Sequence, residues 1–316
     1  MEHDRGGRGG LRRHGGYRPA HPALLRRDSH PGGISAGIPG AGTKEKRKCE
    51  SMEIQELKQI AAQRRADAVT MITRAKTGHT GGAMSCLDVL TCLFYDTLRP
   101  GDHFLLSKGH SVEGYWAILA DKGYFPREML REFSQAGSPL IGHPNCRVNG
   151  VEMSTGALGH GLPIGVGAAL AAKRRGTGHR VFVVMGDGEQ AEGSVWEAAM
   201  AGANYHLDNL FAIVDRNGLQ ISGGTEDVMA LNSLSDKWRA FGWEVTEIDG
   251  NDMEQVKAYF DLAAEGGKPH CLMARTVKGK GLPFAENRAE WHHKVPTQEQ
   301  LLEAYRALGV KGVDWA

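Results

Sequence analysis

Residues Val183–Ala198 read VVMGDGEQAEGSVWEA. An apolar run leads straight into Gly-Asp-Gly, and a helix-like stretch follows with Glu192 just inside it. The run predicts a buried strand, and strand followed by helix predicts a crossover unit of a parallel sheet. In an open parallel sheet, ligands collect beyond the carboxyl ends of the strands. The glycines allow a tight turn and close backbone approach, so Asp187 presents its carboxylate to that crevice. Taken alone, Asp187 serves equally well as a cap for the helix that follows.

The next strand tips the balance. NLFAIVDRNGLQISG, from Asn209 to Gly223, ends at the same sheet edge if its crossover is ordinary. It presents Asp215, Asn217 and the Gly218-Leu219 backbone. A carboxylate, an amide oxygen and a backbone carbonyl are hard ligands suited to Mg²⁺ or Ca²⁺, ions that with few protein ligands also bind through phosphate oxygens. Two adjacent strand ends therefore predict a site for a metal–diphosphate unit.

Around this centre the chain alternates helix and strand. Helical periodicity runs near 53–76, 84–95, 111–122, 126–136, 158–174, 192–206, 227–241, 252–265 and 297–308, with strands at 180–185, 209–214, 243–248 and 270–277. That order predicts an α/β domain, a mostly parallel sheet with helices on both faces, spanning residues 52–316. The chain has 316 residues, 41% hydrophobic and 24% charged, with net charge +1. This is an ordinary globular composition that points to no nucleic-acid and no membrane partner. The five cysteines are scattered without a paired motif, which fits a reducing, cytoplasmic setting rather than a disulfide framework. Residues 1–51 differ: eleven glycines and eight arginines fall in the first fifty positions. Nothing there can bury a helix or strand face, so a disordered tail without function is expected. An RNA-binding arm and a targeting segment are the weaker readings.

Gly-Asp-Gly followed some thirty residues later by Asn217 resembles the thiamine diphosphate signature. Within that superfamily, residues from Met52 to about Pro296 resemble the N-terminal, diphosphate-binding domain of transketolase. The resemblance implies that Asp187 and Asn217 hold Mg²⁺ (or Ca²⁺) through their side chains and Leu219 through its carbonyl. It places Gly188 beside the diphosphate. It also implies that STGALGHG (154–161) is the turn where Gly156 and Leu158 lie against the cofactor.

Histidines recur in four further motifs: TGHTGGAMS (His79), LLSKGHSVEGYW (His110), LIGHPNC (His143) and EWHHKVP (His292, His293). Singly, each reads as a solvated loop residue. Together they point to a polar site, since neutral imidazole both donates and accepts. A zinc site competes, but no pair has metal spacing on one helix and no cysteine joins them. By resemblance His79 and His292 contact substrate hydroxyls and carry protons, His110 contacts the diphosphate, and His143 holds the donor sugar's hydroxymethyl end. Lys278 or Lys280, in TVKGKG, fits a phosphate neighbour as readily as a solvated loop. His160 and His206 read as structural. Two stretches depart from the family: Ala157 and His160 stand where Pro and Gln are usual, and His292-His293 where His-Gly is usual. His292 aligns with the family histidine, with His293 as the alternative.

Thiamine diphosphate chemistry needs a carboxylate on the cofactor's pyrimidine ring. In transketolase that glutamate, and the arginines gripping substrate phosphate, belong to domains with no counterpart here. The resemblance therefore implies one subunit of a split transketolase. Its partner would carry the pyrimidine-binding and C-terminal domains, two plus two in a heterotetramer, and Glu192 would meet the partner's glutamate. As a first-turn residue Glu192 would also favour the helix dipole. The implied activity is transfer of a two-carbon ketol unit between sugar phosphates. The rival readings are the α subunit of a 2-oxo acid dehydrogenase, a deoxyxylulose-phosphate-type synthase, and a cofactor-binding regulator without catalysis.

Overall fold

The computed structural model describes residues 51–262 and 267–316. The Gly/Arg-rich segment expected over 1–51 lies outside them, apart from Ser51. In chain order the first elements are α1 (Ile54–Ala75), α2 (Thr80–Ser85), α3 (Leu87–Cys92), β1 (His103–Leu106), α4 (Val112–Asp121), α5 (Gly161–Arg175), β2 (Val181–Gly186) and α6 (Gly193–Asn204). There follow β3 (Leu210–Arg216), β4 (Leu219–Gln220), β5 (Gly223–Gly224), α7 (Thr225–Val228), α8 (Leu234–Ala240), β6 (Glu244–Asp249), α9 (Met253–Leu262), β7 (His270–Arg275) and α10 (Gln298–Leu308).

Five strands form one sheet in the order β1-β2-β3-β7-β6, every neighbouring pair parallel. Side chains alternate across it. Phe182 and Val184, Phe211 and Ile213, and Leu272 and Ala274 join one core with α1, α3, α4, α9 and α10. Val181, Val183 and Met185, Leu210 and Ala212, and Cys271 and Met273 join a second with α5, α6 and α8. Both faces of the central strands are thus covered, which is why they read as unbroken apolar runs. The expected parallel sheet with helices on both faces is borne out. Strand β6 at the edge carries Glu244, Glu247 and Asp249, charges that discourage pairing with a further strand.

Four expectations needed revision. Strand β1 was not foreseen: HFLL is four residues long and is bracketed by Pro-Gly-Asp and Ser-Lys-Gly, so it carries little periodicity. The helix expected over 84–95 breaks at Cys86 (φ −92°, ψ 4°), separating α2 from α3. The helix over 227–241 is two pieces, because Asn232 and Ser233 take left-handed backbone (φ 28° and 42°). The stretch near 126–136 is a 3-10 turn, Arg127–Glu132.

The register brings the site together. Gly186 pairs with Asp215, so the carboxyl ends of β2 and β3 lie side by side. The end of β1 follows on one flank and that of β7 on the other.

Candidate active site

At the end of β2, Asp187 is buried and caps its own turn. Its Oδ1 accepts from the Gly188 amide at 2.8 Å and its Oδ2 from the Gly218 amide at 2.6 Å. Burial, with the charge of Asp215 next, pushes this carboxyl above its usual range. Gly218 reaches Asp187 with φ +75°, a left-handed turn that glycine adopts without strain. The capping and ligand readings of Asp187 are therefore compatible, since Oδ1 keeps a lone pair while Oδ2 also accepts from Thr225 at 3.4 Å.

Asn217 is oriented by its own turn. Its amide nitrogen donates to Asp215 at 3.2 Å and its amide oxygen accepts from the Leu219 amide at 3.2 Å. The Leu219 carbonyl accepts from Lys278 Nζ at 3.1 Å. Thus the carboxylate, amide oxygen and carbonyl expected to hold a cation all belong to two adjoining turns. A lysine ammonium already rests against one of them. Hard oxygens with a cation at the carbonyl fit a Mg²⁺-class ion.

Asp215, read from sequence as a further hard ligand, is engaged elsewhere. It forms a buried ion pair with Lys108, at the end of β1, and accepts from Ser85 at 2.7 Å and from Thr276. Burial alone would raise its pKa, but Lys108 and these hydrogen bonds hold it below the usual range. Lys108 also donates to the Gly82 carbonyl at 3.2 Å. Burial works against its charge, yet Asp215 prevails and lifts its pKa. Lys278 has no such partner: burial, then repulsion from Lys108, lowers it to about 8.

Glu189 is a second organiser. Its Oε1 accepts from Ser107 and from the Gly159 amide at 2.8 Å, and its Oε2 from the Gly186 amide at 3.0 Å. It ties the ends of β1 and β2 to the 154–161 turn. In that turn Gly156 has φ +139°, and a Cβ there would sit 2.8 Å from the His143 ring. Leu158 is half-buried beside it, and Gly188 packs against Gln220. Exposed Glu192 is the N-cap of α6 rather than a first-turn residue, with extended backbone and no side-chain cap.

The histidines converge around His79. Its ring centroid lies 5.6 Å from His110, 5.5 Å from His143, 5.7 Å from His292 and 4.0 Å from His293. His79 precedes α2, and its amide donates to buried Glu113 on α4 at 2.7 Å. His292 closes a 3-10 turn anchored by buried Trp291, and Lys278 Nζ lies 3.0 Å from its Nδ1. Burial, followed by Lys278, lowers His292 to about 3. Burial also depresses His110, with Lys108 next, and both His143 and His293, with His79 next. These four imidazoles are neutral at pH 7. His160 occupies the N-cap position of α5 without a side-chain cap bond, and His206 lies just past the C-cap of α6 with left-handed backbone (φ 51°).

Sequence reasoning missed Lys108, Glu113 and Glu189. Lys108 was visible in Ser-Lys-Gly-His, but its meaning depends on β1, which places it at a strand end. Nothing in the sequence announces that Glu113 turns inward.

Known proteins share both this sequence pattern and this geometry. The family described as transketolase, thiamine diphosphate binding domain, matches residues 56–314. The chain belongs to this family. An apulose-4-phosphate transketolase subunit of Phocaeicola vulgatus is 48% identical over 267 residues, covering 81% of this chain and 95% of that one. A 6-deoxy-6-sulfo-D-fructose transketolase subunit of a Clostridium species is 37% identical over 270 residues, covering 80% and 98%. Among solved structures, the transketolase of Campylobacter jejuni superposes with TM-score 0.77 at 29% identity, over 82% of this chain and 43% of that one. A Pichia stipitis transketolase complexed with sedoheptulose-7-phosphate gives TM-score 0.77 at 27% identity, over 82% and 41%. The transketolase-family chain thus spans nearly the whole of the subunit relatives and less than half of these solved transketolases.

Proposed function

We propose that this chain is the diphosphate-binding subunit of a two-chain transketolase, moving a two-carbon ketol unit from a ketose phosphate to an aldose phosphate. The observation that carries the proposal is the convergence of four strand ends. Those of β1, β2, β3 and β7 bring Lys108, Asp187, Asn217, Leu219 and Lys278 to one crevice, beside a fan of histidines.

In this reading Asp187, Asn217 and the Leu219 carbonyl would hold Mg²⁺ (or Ca²⁺), which would supply positive charge for the diphosphate of thiamine diphosphate. Gly188, Gly156 and Leu158 give the cofactor close backbone approach, and His110 contacts its diphosphate. When bound, thiamine diphosphate supplies the carbanion equivalent that cleaves the ketose C2–C3 bond. The chain's own part is to orient and to move protons. His79 and His292 face the substrate hydroxyls, with imidazole nitrogens able to accept a proton from one oxygen and return it to another. His143 holds the hydroxymethyl end, and Glu113 fixes the His79 backbone so that its ring faces the fan.

The partner chain supplies the carboxylate on the pyrimidine ring, and Glu192 faces it. Ile221, Val228 and Met229 are exposed at 70%, 42% and 59%, on the segment just past the Leu219 carbonyl. Apolar side chains exposed beside a cofactor crevice suit an obligate interface. The simplest closed assembly is two copies of each chain around a twofold axis. The relatives are themselves named as subunits, which supports a partner requirement, and their names guide the ketoses worth testing first. Residues 52–316 form the working domain. Among the described residues no helix is long and apolar enough to cross a membrane, and a cytoplasmic setting is part of the proposal.

The test is a titration of turnover against added partner, with thiamine diphosphate and Mg²⁺ in excess. The donors are apulose-4-phosphate, 6-deoxy-6-sulfofructose and common ketose phosphates. Activity should be absent from the chain alone and should saturate at equal numbers of the two chains. Full turnover by this chain alone would refute the two-chain reading.

A further inference from the structure

His79, His292 and His293 present ligand nitrogens that all lie within 4.8 Å of one another. They come from two segments far apart in sequence, which is why spacing along the chain argued against a metal there. We propose that these three histidines form a second metal site, selective for a borderline divalent ion such as Zn²⁺ and distinct from the oxygen-lined Mg²⁺ site.

Four features of the structure support it. Imidazole nitrogen is a ligand for Zn²⁺ and suits Mg²⁺ poorly, so the two sites select different ions. His79 is 8% exposed, and its Nδ1 is a buried polar atom without a hydrogen-bond partner. Glu113 Oε1 lies 3.7 Å from that Nδ1, placing a carboxylate behind the ring while Nε2 stays free. A carboxylate behind a ligating histidine is the usual outer support of a zinc site. Finally, His293 is exposed, so its ring can turn at the cost of one hydrogen bond to the Gly78 backbone. Tetrahedral ligands at Zn–N distances near 2.1 Å stand about 3.4 Å apart, and turning the His293 ring closes the remaining gap. Lys278, now against His292 Nδ1, keeps the Leu219 carbonyl as a partner when His292 turns to the metal.

Three protein ligands leave a fourth position open. On the transketolase reading, the same imidazoles face the sugar hydroxyls, so a bound Zn²⁺ would compete with the ketose. The binding claim does not depend on that reading, because it can be measured on the full-length chain without turnover. His293 stands where Gly is usual in the family, so the third ligand is a property of this chain.

The experiment titrates the full-length chain with Co²⁺, reading the visible d–d absorption of a tetrahedral site, and then displaces it with Zn²⁺. One equivalent should give the tetrahedral spectrum. His293→Gly and His79→Asn should each weaken binding by more than about 100-fold, beyond the roughly 10- to 100-fold that losing an outer contact costs. Asp187→Asn should leave the signal unchanged. Circular dichroism and a melting curve establish that each variant is folded, and His293→Gly, at an exposed position, is the variant that decides. Absence of a tetrahedral signal, full retention in folded His293→Gly, or loss in Asp187→Asn would each overturn the site. In the assembled enzyme, Zn²⁺ at fixed excess Mg²⁺ should raise the apparent KM for the ketose. A failure of that arm alone, with Co²⁺ binding intact, would count against the catalytic placement of these histidines and leave the metal site standing.

Discussion

The two ends of the crevice are built differently. At the β2–β3 end, Asp187 and Asn217 each stand one residue past a strand, pinned by backbone amides and backed by a buried Lys108–Asp215 pair. At the histidine end, four loop or turn segments contribute five rings, which meet one another around His79. A diphosphate and a metal ion always have the same shape, so a rigid cradle suits them. Sugars differ, and rings on separate loops can be exchanged without disturbing the sheet. Stability and cofactor binding should therefore depend on the first region, and substrate preference on the second.

The largest effect expected is at Lys108. Lys108→Met leaves Asp215 charged and buried without its ion-pair partner, which should cost about 3–5 kcal/mol in urea unfolding. Adding Asp215→Asn should recover part of the loss. A single-variant cost below about 1 kcal/mol would remove the rigid-cradle half of the contrast.

Asp187→Asn should separate binding from folding. Cofactor and Mg²⁺ retention should fall together in the assembled enzyme, by at least the roughly 10- to 100-fold that losing a mere outer-shell partner costs. The metal-free chain should not lose stability, because burial and Asp215 already disfavour the Asp187 charge. Calorimetry of the variant with thiamine diphosphate, paired with a melting curve, reads both. Normal cofactor affinity would refute the metal assignment.

Glu189→Gln replaces one acceptor oxygen by an NH₂ group facing an amide or a hydroxyl. The cost should be about 1–3 kcal/mol, that of an unsatisfied buried group. No loss of stability would show that the 154–161 turn does not depend on this carboxylate.

The histidine end should show itself in pH dependence. The folded pKa of His292 is depressed to about 3, below the ordinary value of about 6.5. The unfolded chain therefore binds more protons between these values, and stability must fall as pH drops through that window. Above about pH 6.5 the contribution is flat. His292→Asn should flatten the stability curve between about pH 6.5 and 3, and a curve unchanged by the substitution would contradict the burial of this ring. The smallest stability effect is expected at His143, half-buried on a loop. His143→Ala should alter stability by no more than about 0.5 kcal/mol while raising KM for the ketose. A stability loss as large as that at Lys108 would erase the difference between the two ends.

The same contrast governs what could be read from the sequence. Strands β2 and β3 were legible because they are buried on both faces, and their apolar runs end in polar residues whose chemistry needs no neighbour to interpret. Strand β1 was not, since four residues carry too little periodicity, and Lys108 was lost with it. Asp215 was misjudged for the same reason: its oxygens look like metal ligands until Lys108 is placed beside them. The histidines were each visible, but their meeting around His79 is a property of tertiary structure. Spacing along the sequence could not show that meeting, for His79 and His293 lie 4.0 Å apart by ring centroid while distant in the chain.

The carboxylate of Glu189 also bears on the order of folding. It joins Ser107, 82 residues away along the chain, to the Gly159 amide, 30 residues away. The Ser107 bond, like those from Thr155 to the Leu106 carbonyl and from the Gly161 amide to Ser107, needs β1 beside β2, and long parallel closures of this kind are slow because their loop entropy is lost before contacts repay it. The 154–161 turn should therefore acquire its amide protection late, after the sheet, so that a refolding chain passes through a species with native strands and an unformed cofactor pocket. Pulse-labelling hydrogen exchange at the Gly159 and Gly186 amides would time that step.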